Sequence, residues 1–282
     1  MCPLCLTRLE QHLRVCPSCG WVSTAFIFRL DDVDLSKVRM PPGDLIYRVA
    51  GDMRPPDFLS SGRDVAESFV RALDVVLGRR LQDYARILDF GSGCGRVLRW
   101  LIPKAASSHW HACDIDAPAI DWISKNIPSV DAVQSEPLPR LPFNDRTFDL
   151  VLGYSVFTHF PENYQDAWLQ ELQRVTRPDG TVLLTVHGPN AYKDAATRSA
   201  FTVEHADQFQ TQGYAYWAND FWKDHFPAYY QTAYHHHDYV RKRWSQWLDI
   251  KDILEVGAPP RHDIVVATRE RRPKIGSSRS RV

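Results

Sequence analysis

The sequence predicts an α/β protein built on an open, mainly parallel sheet with helices on both faces. Short apolar runs alternate with helical patterns from residue 85 to residue 188. The first run is followed at once by the glycine-rich segment GSGCGR (91–96). Two further apolar runs come late in the chain and suit an antiparallel pair. Parallel neighbours need long crossovers, and the helical patterns between the runs supply them.

The elements follow one another in a regular order. In DVAESFVRALDVVLGRRL (64–81) the apolar residues recur at the spacing of one helix face. Five strands are then predicted, at 85–90, 110–116, 129–134, 148–155 and 181–188. Helices are predicted between them in RVLRWLIPK (96–104), APAIDWISKN (117–126) and PENYQDAWLQELQRV (161–175). The final pair of strands is predicted in WLDIKDIL (247–254) and HDIVVATRE (262–270).

Composition divides the chain into four regions. A cysteine-rich head at 1–22 is followed by a connecting and lid-forming segment at 23–62. The main domain is predicted at 63–268, and a basic tail rich in Ser and Arg at 269–282 is expected to be disordered. Within the main domain, residues 189–240 break the alternation and are dense in aromatic residues and histidines. We expect this stretch to be an insertion over a ligand cleft, on the side of the second substrate.

Charge and hydropathy exclude some classes of protein. Lys+Arg and Asp+Glu both number 34, so no overall positive field attracts nucleic acid. No apolar run reaches the length of a membrane span, and the N-terminal residues lack the pattern of a secretory signal. We therefore expect a cytoplasmic protein that does not bind membranes.

Four of the six cysteines form two CxxC pairs at the N-terminus: Cys2, Cys5, Cys16 and Cys19. Two such pairs supply the four thiolates of a closed tetrahedral Zn²⁺ site, which would be structural. Two disulfides or unbound thiols are the alternatives, and His12 is a possible substitute for Cys2. Cys94 and Cys113, further along the chain, are expected to be packing residues. The sequence thus predicts a small zinc knuckle domain ahead of the α/β domain.

The glycine segment indicates a ligand site. Gly91, Gly93 and Gly95 follow the first strand, at the edge where open α/β sheets bind ligands. No Gly-Lys-Ser/Thr follows, which excludes a phosphate-binding P-loop. A dinucleotide site needs glycine or alanine where this chain has Arg96. A tight turn without a ligand remains the alternative.

Two acidic residues narrow the choice of ligand. Asp89 precedes the glycines and would repel a pyrophosphate but attract an ammonium group. Asp114 ends the second strand, where an acid can accept hydrogen bonds from both ribose hydroxyls. A ligand with a ribose, an ammonium group and no phosphate is S-adenosylmethionine.

With these motifs the sequence resembles the class I S-adenosylmethionine-dependent methyltransferases. The matching blocks span about 100 residues: ILDFGSGCGR (87–96), ACDID (112–116), LPFNDRTFDLVLGYSVFTHF (141–160) and ELQRVTRPDGTVLLT (171–185). The resemblance implies a Rossmann-like seven-stranded sheet whose last two strands are antiparallel. One departure is Pro178-Asp179-Gly180, where the family more often has Pro-Gly-Gly.

The resemblance also implies cofactor-binding residues. Asp89 would lie near the methionine amino group of S-adenosylmethionine, Asp114 at the ribose and Tyr154 beside the methionine. Ser135 or Glu136 would contact the adenine. The full predicted set is Asp89, Gly91, Ser92, Gly93, Gly95, Asp114, Ile115, Ser135, Glu136 and Tyr154.

Candidate catalytic residues are His159 and His187, which follow the fourth and fifth strands. Either could act as a general base toward a hydroxyl acceptor, or simply support its loop. Consecutive His235, His236 and His237 are expected at the surface or at a pocket edge rather than around a metal ion.

The acceptor is predicted to be a small molecule or a saccharide. PPGDLIYRVAGD (41–52) and YHHHDYVRKRW (234–244) are among the segments similar to a bacterial subgroup of these methyltransferases associated with glycan and secondary-metabolite assembly. The main alternative is a ribosomal RNA base methyltransferase that grips RNA with the zinc head and the basic tail. A third alternative is a protein of this fold that binds or scaffolds without catalysis. The sequence leaves open the acceptor, the methylated atom, the oligomeric state and any partner of the head.

Overall fold

A seven-stranded sheet organises the part of the chain that the computed structural model describes, which is residues 39–51, 55–197, 203–218, 224–258 and 261–270. Its strand order is β3-β2-β1-β4-β5-β9-β8. The first five strands pair in parallel, and β9 is antiparallel to both β5 and β8. The strands are β1 (Arg86–Phe90), β2 (His109–Asp114), β3 (Val130–Gln134), β4 (Phe148–Gly153), β5 (Thr176–Val186), β8 (Asp249–Ala258) and β9 (His262–Thr268). The predicted parallel sheet and its antiparallel final pair are confirmed.

Helices cover both faces of this sheet. They are α1 (Gly43–Ala50), α2 (Pro55–Leu77), α3 (Leu98–Leu101), α4 (Ala117–Asn126), α5 (Glu162–Val175), α6 (Pro189–Thr197), α7 (Val203–Gln212) and α8 (His237–Trp244). Ile87 of β1 packs in one apolar cluster with residues of α2, α3 and α4. Its neighbour Leu88 packs in a second cluster with residues of α5 and α8. Because side chains alternate along a strand, the two clusters lie on opposite faces of the sheet.

The central strands are apolar on both faces, as expected for a sheet covered on two sides. In β1 only Arg86 is exposed, and in β4 five of the six residues are buried. Asp149 is the polar exception in β4, and its carboxylate accepts hydrogen bonds from the backbone N–H groups of Ala85 and Arg86. This contact fixes the entry into β1.

Some boundaries differ from those predicted. Helix α2 begins at Pro55, so residues 55–62, which the sequence assigned to the connecting segment, are helical. Strand β5 begins at Thr176, five residues before the predicted start, and contains the Pro-Asp-Gly turn. Asp179 adopts φ +61° there, and its backbone N–H donates to the carbonyl of Arg269. The turn is therefore a bulge within the sheet rather than a loop ahead of it.

The region 189–240 forms a separate layer beside the main sheet. It contains α6, α7 and a two-stranded antiparallel sheet of β6 (Tyr214–Trp217) and β7 (Thr232–His235). An isolated bridge joins Tyr234 of β7 to His187, directly after β5. This bridge places the insertion beside the carboxyl ends of the parallel strands.

No helix among the described residues is long and apolar enough to cross a membrane. The four N-terminal cysteines, residues 23–38 and 52–54 of the connecting segment and the tail from residue 271 lie outside the described residues.

Candidate functional site

A cavity of about 280 Å³ opens at the carboxyl ends of β1, β2, β4 and β5. This is the edge of an open α/β sheet at which ligands bind. Its wall combines the glycine segment, the strand-end acids, helix α1 and rings from the 189–240 region. The cavity therefore joins the two sites that the sequence predicted, one for a cofactor and one for an acceptor.

The glycine segment makes a sharp turn at the cavity, and two of its positions leave no room for a side chain. Gly91 has φ +73°, and a Cβ there would lie 2.2 Å from Cγ2 of Val156. Gly93 has φ +51°, and a Cβ there would lie 2.3 Å from Cγ1 of Val49. Both backbone conformations are ones that glycine adopts without strain. The segment thus needs glycine for its close contacts with helix α1 and with the loop after β4.

Two buried carboxylates lie side by side at the strand ends. Asp89 is only 4% exposed, and no described residue donates a hydrogen bond to its carboxylate. Burial, with a smaller effect from the negative charge of Asp114, raises the pKa of Asp89 to about 7. Burial also raises the pKa of Asp114, although its carboxylate accepts hydrogen bonds from the backbone N–H groups of Gly93 and Asp116. An ammonium group beside Asp89 would supply the positive charge that this site lacks.

Helix α1 contributes a wall that the sequence analysis did not assign to the site. Arg48 donates two hydrogen bonds to the carboxylate of Asp116, at 2.8 and 3.0 Å. The Nε atom of Arg48 is buried and has no hydrogen-bond partner among the described residues. Arg48 and Val49 line the cavity together with Gly51. The lid-forming role of the 23–62 segment stays a prediction.

Most of the predicted cofactor-binding residues meet in this cavity. Asp89, Gly91, Ser92, Gly93, Asp114, Ile115, Ser135 and Tyr154 line it. Gly95 and Glu136 are not among the lining residues. A Cβ at Gly95 would approach Ile127 and Ile123 instead, which indicates a packing role against α4. Glu136 is exposed, whereas its neighbour Ser135 is buried.

Both candidate catalytic histidines line the same cavity, with their ring centres 6.4 Å apart. Nδ1 of His159 lies 2.6 Å from the carbonyl oxygen of Gln231, and Nδ1 of His187 lies 3.3 Å from that of Ala233. Burial lowers the pKa of His159 to about 3 and that of His187 to about 4. Both rings are therefore neutral at physiological pH, and a neutral imidazole can accept a proton.

A third histidine joins them without having been predicted. His262, at the start of β9, lies with its ring centre 4.8 Å from those of His187 and Tyr154. Its Nε2 lies 3.2 Å from Oγ of Ser155. A lone histidine 75 residues beyond His187 gives no signal in the sequence, and only the return of β9 next to β5 places it here.

The three consecutive histidines have three different surroundings. His235 is fully buried rather than at a surface or pocket edge, and its Nε2 donates to Oε1 of Gln165 at 3.0 Å. His236 is half-exposed, and Nε2 of His237 lies 2.7 Å from Oδ2 of the buried Asp263. The expectation of a common surface position was wrong for His235, because β7 turns it into the core.

Cys94 and Cys113 are buried thiols, as expected for packing residues. Burial raises the pKa of Cys94 to about 12 and that of Cys113 well above its ordinary value. Such thiols are poor nucleophiles. Within the described ranges no group of His, Cys, Asp and Glu could hold a metal ion, and the predicted zinc ligands fall outside those ranges.

The comparisons with known proteins concern this same region. Residues 87–180 match the family described as "Methyltransferase domain". Two curated relatives are both named malonyl-[acyl-carrier protein] O-methyltransferase. The one from Halorhodospira halophila is 30% identical over 45% of this chain and 42% of its own length. The one from Porphyromonas gingivalis is 22% identical over 69% of this chain and 71% of its own length.

Solved structures share the fold at low sequence identity. The PH0226 protein of Pyrococcus horikoshii is 15% identical with a TM-score of 0.55, over 79% of this chain and 97% of its own. The 1,6-didemethyltoxoflavin-N1-methyltransferase of Burkholderia thailandensis is 16% identical with a TM-score of 0.52, over 85% of this chain and 94% of its own. That structure holds bound 1,6-didemethyltoxoflavin and S-adenosylhomocysteine. Residues 87–180 therefore match a methyltransferase domain, and the described residues share their fold with solved structures that include a methyltransferase bound to S-adenosylhomocysteine.

Proposed function

We propose that this protein transfers a methyl group from S-adenosylmethionine to a small-molecule or saccharide acceptor. The observation that carries the proposal is the buried Asp89 carboxylate, which receives no hydrogen bond from any described residue and lies beside the glycine segment. A cationic, phosphate-free ligand suits this site, whereas a pyrophosphate would face two buried acids.

Each part of the cofactor has a matching group in the cavity. Asp89 would take the ammonium group, Asp114 the ribose hydroxyls and Ser135 an edge of the adenine. Arg96, whose guanidinium lies 5.0 Å from the ring centre of Tyr154, would balance the methionine carboxylate. S-adenosylmethionine supplies a methyl group on a positively charged sulfur, which a nucleophile can displace. The protein's part is then to align the acceptor with that group and to exclude water.

Rings from the 189–240 region line the cavity, and its volume of about 280 Å³ favours a small acceptor. The curated relatives are named for a carrier-bound malonyl acceptor, and a carrier-bound small molecule belongs to the same general class. Because the chain spans only 42% of the first relative's length, its own acceptor is a separate question.

Calorimetric titration with S-adenosylhomocysteine tests the cofactor site. We expect one molecule bound per chain, and transfer of labelled methyl groups from S-adenosylmethionine into a small-molecule fraction of cell lysate. Absence of S-adenosylhomocysteine binding would contradict the proposal. Labelling of RNA, with steeply salt-dependent RNA binding, would favour the ribosomal RNA alternative instead.

We also propose that Cys2, Cys5, Cys16 and Cys19 hold a structural Zn²⁺ in a reducing compartment, on the spacing of the two CxxC pairs. Elemental analysis of the full chain should find about one zinc per molecule. The Cys16→Ser/Cys19→Ser variant should lose it, while Cys113→Ala, which changes a buried thiol outside the head, should keep it. Full zinc content in the double variant would contradict this assignment.

A further inference from the structure

Aromatic and histidine rings line one part of the cavity. We call this part the acceptor chamber, formed by Tyr154, His159, His187, Phe226, Tyr230 and His262. Phe226 stacks on Tyr230 with ring centres 4.4 Å apart, and Tyr230 stacks on His159 at 4.1 Å. Such a series of flat faces suits a flat ring in the ligand.

The two candidate catalytic histidines present acceptors to this chamber. A backbone carbonyl can only accept, so Nδ1 of His159 and Nδ1 of His187 carry the protons of their hydrogen bonds. In a neutral ring the other nitrogen, Nε2, then has a free lone pair. No described residue donates a hydrogen bond to Nε2 of either ring. A ligand that fills the chamber must therefore offer hydrogen-bond donors.

The rings of His159 and His187 stay unprotonated, so the ligand must still supply the hydrogen-bond donors. Both are buried and close to each other, and burial is the largest cause of their lowered pKa values. A carboxylate in the chamber would place its oxygen lone pairs against the lone pairs on Nε2 of His159 and His187, which is unfavourable. A hydroxyl avoids this cost because it can donate a hydrogen bond to Nε2.

Among the described side chains, the Arg and Lys residues that line the cavity are two arginines. Nη1 of Arg48 donates to both carboxylate oxygens of Asp116, at 2.8 and 3.0 Å. Arg96 belongs to the glycine segment and faces the ring of Tyr154, on the side where the methionine carboxylate is proposed to lie. Among the described residues, therefore, the chamber offers histidine acceptors and ring faces, and both arginines of the cavity lie beside groups assigned to the cofactor side.

We propose that the methyl acceptor is an uncharged aromatic compound whose ring hydroxyl donates its hydrogen bond to Nε2 of His159 or His187. This inference rests on the proposed function and narrows its acceptor class. It also separates this chain from the malonyl carboxylate for which the curated relatives are named.

The reaction balances with the groups present. The hydroxyl oxygen attacks the methyl carbon, so that the C–O bond forms while the C–S bond breaks and its electron pair stays on sulfur. The hydroxyl proton passes to Nε2 of the histidine and from there to solvent after release. A weakly basic histidine is better matched to a phenol, with a pKa of about 10, than to the much less acidic hydroxyl of a sugar.

Binding of matched probes tests the inference. S-adenosylhomocysteine is titrated first. If it does not bind, the proposed function is contradicted and the acceptor class is not the cause. The protein saturated with S-adenosylhomocysteine is then titrated at pH 7.5 with catechol, benzoate and methyl α-glucopyranoside. We expect catechol to bind at least about tenfold more tightly than benzoate or the glucoside, which is the loss expected for one good hydrogen bond.

Two variants show whether the histidines set this preference. The amide of a glutamine can donate as well as accept, so His159→Gln and His187→Gln should each reduce the catechol-to-benzoate ratio by about tenfold. His109→Gln, at an exposed position where β2 begins, is the matched control and should leave the ratio unchanged. Unchanged affinity for S-adenosylhomocysteine shows that a variant is folded. If one histidine variant does not fold, the other is sufficient for the test.

Three outcomes would overturn the inference. The first is benzoate or the glucoside binding as tightly as catechol in the unmodified protein. The second is no catechol binding while S-adenosylhomocysteine binds normally. The third is an unchanged ratio in both histidine variants, or a benzoate affinity that depends on Arg96 in an Arg96→Gln variant.

Discussion

Replacement of Asp89 by asparagine should stabilise the empty protein and weaken cofactor binding at the same time. Raising the pKa of this carboxyl from 3.8 to about 7 makes its ionised form costly by about 4 kcal/mol at high pH, at about 1.4 kcal/mol for each pKa unit. Asp89→Asn removes this cost. The buried amide of asparagine lacks hydrogen-bond partners, which costs roughly 1–3 kcal/mol of stability. The net gain in the free energy of unfolding at pH 8 should therefore be about 1–3 kcal/mol.

The sign of the pH dependence follows from the two pKa values. In the unfolded chain the carboxyl has the ordinary pKa of 3.8, and below that pH it is protonated in both states and costs nothing. As the pH rises from 3.8 through about 7, the folded protein loses stability until the whole penalty is present. The advantage of the asparagine variant should therefore shrink by about 3 kcal/mol between pH 8 and pH 4.5.

Urea unfolding of the ligand-free protein at both pH values measures this effect, and calorimetry measures binding. S-adenosylhomocysteine should bind Asp89→Asn at least about thirtyfold more weakly at pH 8, because its ammonium loses a buried carboxylate partner. Asp121→Asn, an exposed acid paired with Lys125, is the control and should change neither quantity by much. An asparagine variant that is less stable than the parent at pH 8, or that binds S-adenosylhomocysteine equally well, would refute the reasoning.

Three further variants probe the rest of the site and its frame. Gly93→Ala should lower cofactor affinity and cost about 1–3 kcal/mol of stability, since its Cβ would lie 2.3 Å from Val49 at a positive φ; calorimetry and urea unfolding check both. Arg48→Ala should loosen α1 by breaking the pair with Asp116, which we expect as roughly tenfold weaker S-adenosylhomocysteine binding and faster proteolysis in residues 39–51. Asp149→Ala, at the opposite end of the sheet, should cost about 2–4 kcal/mol in urea unfolding without changing calorimetric cofactor affinity, because two backbone N–H groups lose their acceptor.

Two of these three predictions have a matched control. Arg80→Ala removes an exposed pair with Asp83 and should not alter S-adenosylhomocysteine binding, in contrast to Arg48→Ala. Gly78→Ala also places a side chain at positive φ, but no atom lies within 4 Å of the added Cβ, so affinity should be preserved. Unimpaired binding in Gly93→Ala or Arg48→Ala, or weakened binding in Asp149→Ala, would count against the site as described.

Local sequence patterns were sufficient for most of the main sheet. The helix predicted at 117–126 forms over those same residues, and β1 and β3 differ by one residue from the predicted ranges. Boundaries failed where tertiary contacts decided them. Strand β5 begins early because Thr176 pairs with Phe148 of β4, and because Arg269, just after β9, exchanges backbone hydrogen bonds with Asp179 and Gly180. Arg269 lies far from these residues in sequence.

The insertion at 189–240 was predicted only as an irregular aromatic stretch. Its pattern carries no single period, so helices and strands could not be told apart. The position of His235 shows the consequence, because its burial depends on β7 pairing with β6 and bridging to the main sheet.

The sequence by itself determined the order of the strands and helices of the main sheet, the glycine segment and the two acids that we propose bind the methyl donor. The glycine segment and the two acids lie close together because they follow neighbouring parallel strands, whose carboxyl ends share one edge of the sheet. Only the tertiary structure decided what covers that edge. Arg48 reaches Asp116 across 68 residues, and His262 reaches Tyr154 across 108. The tautomers and pKa values of the chamber histidines depend on these distant contacts and on burial, which no local pattern encodes.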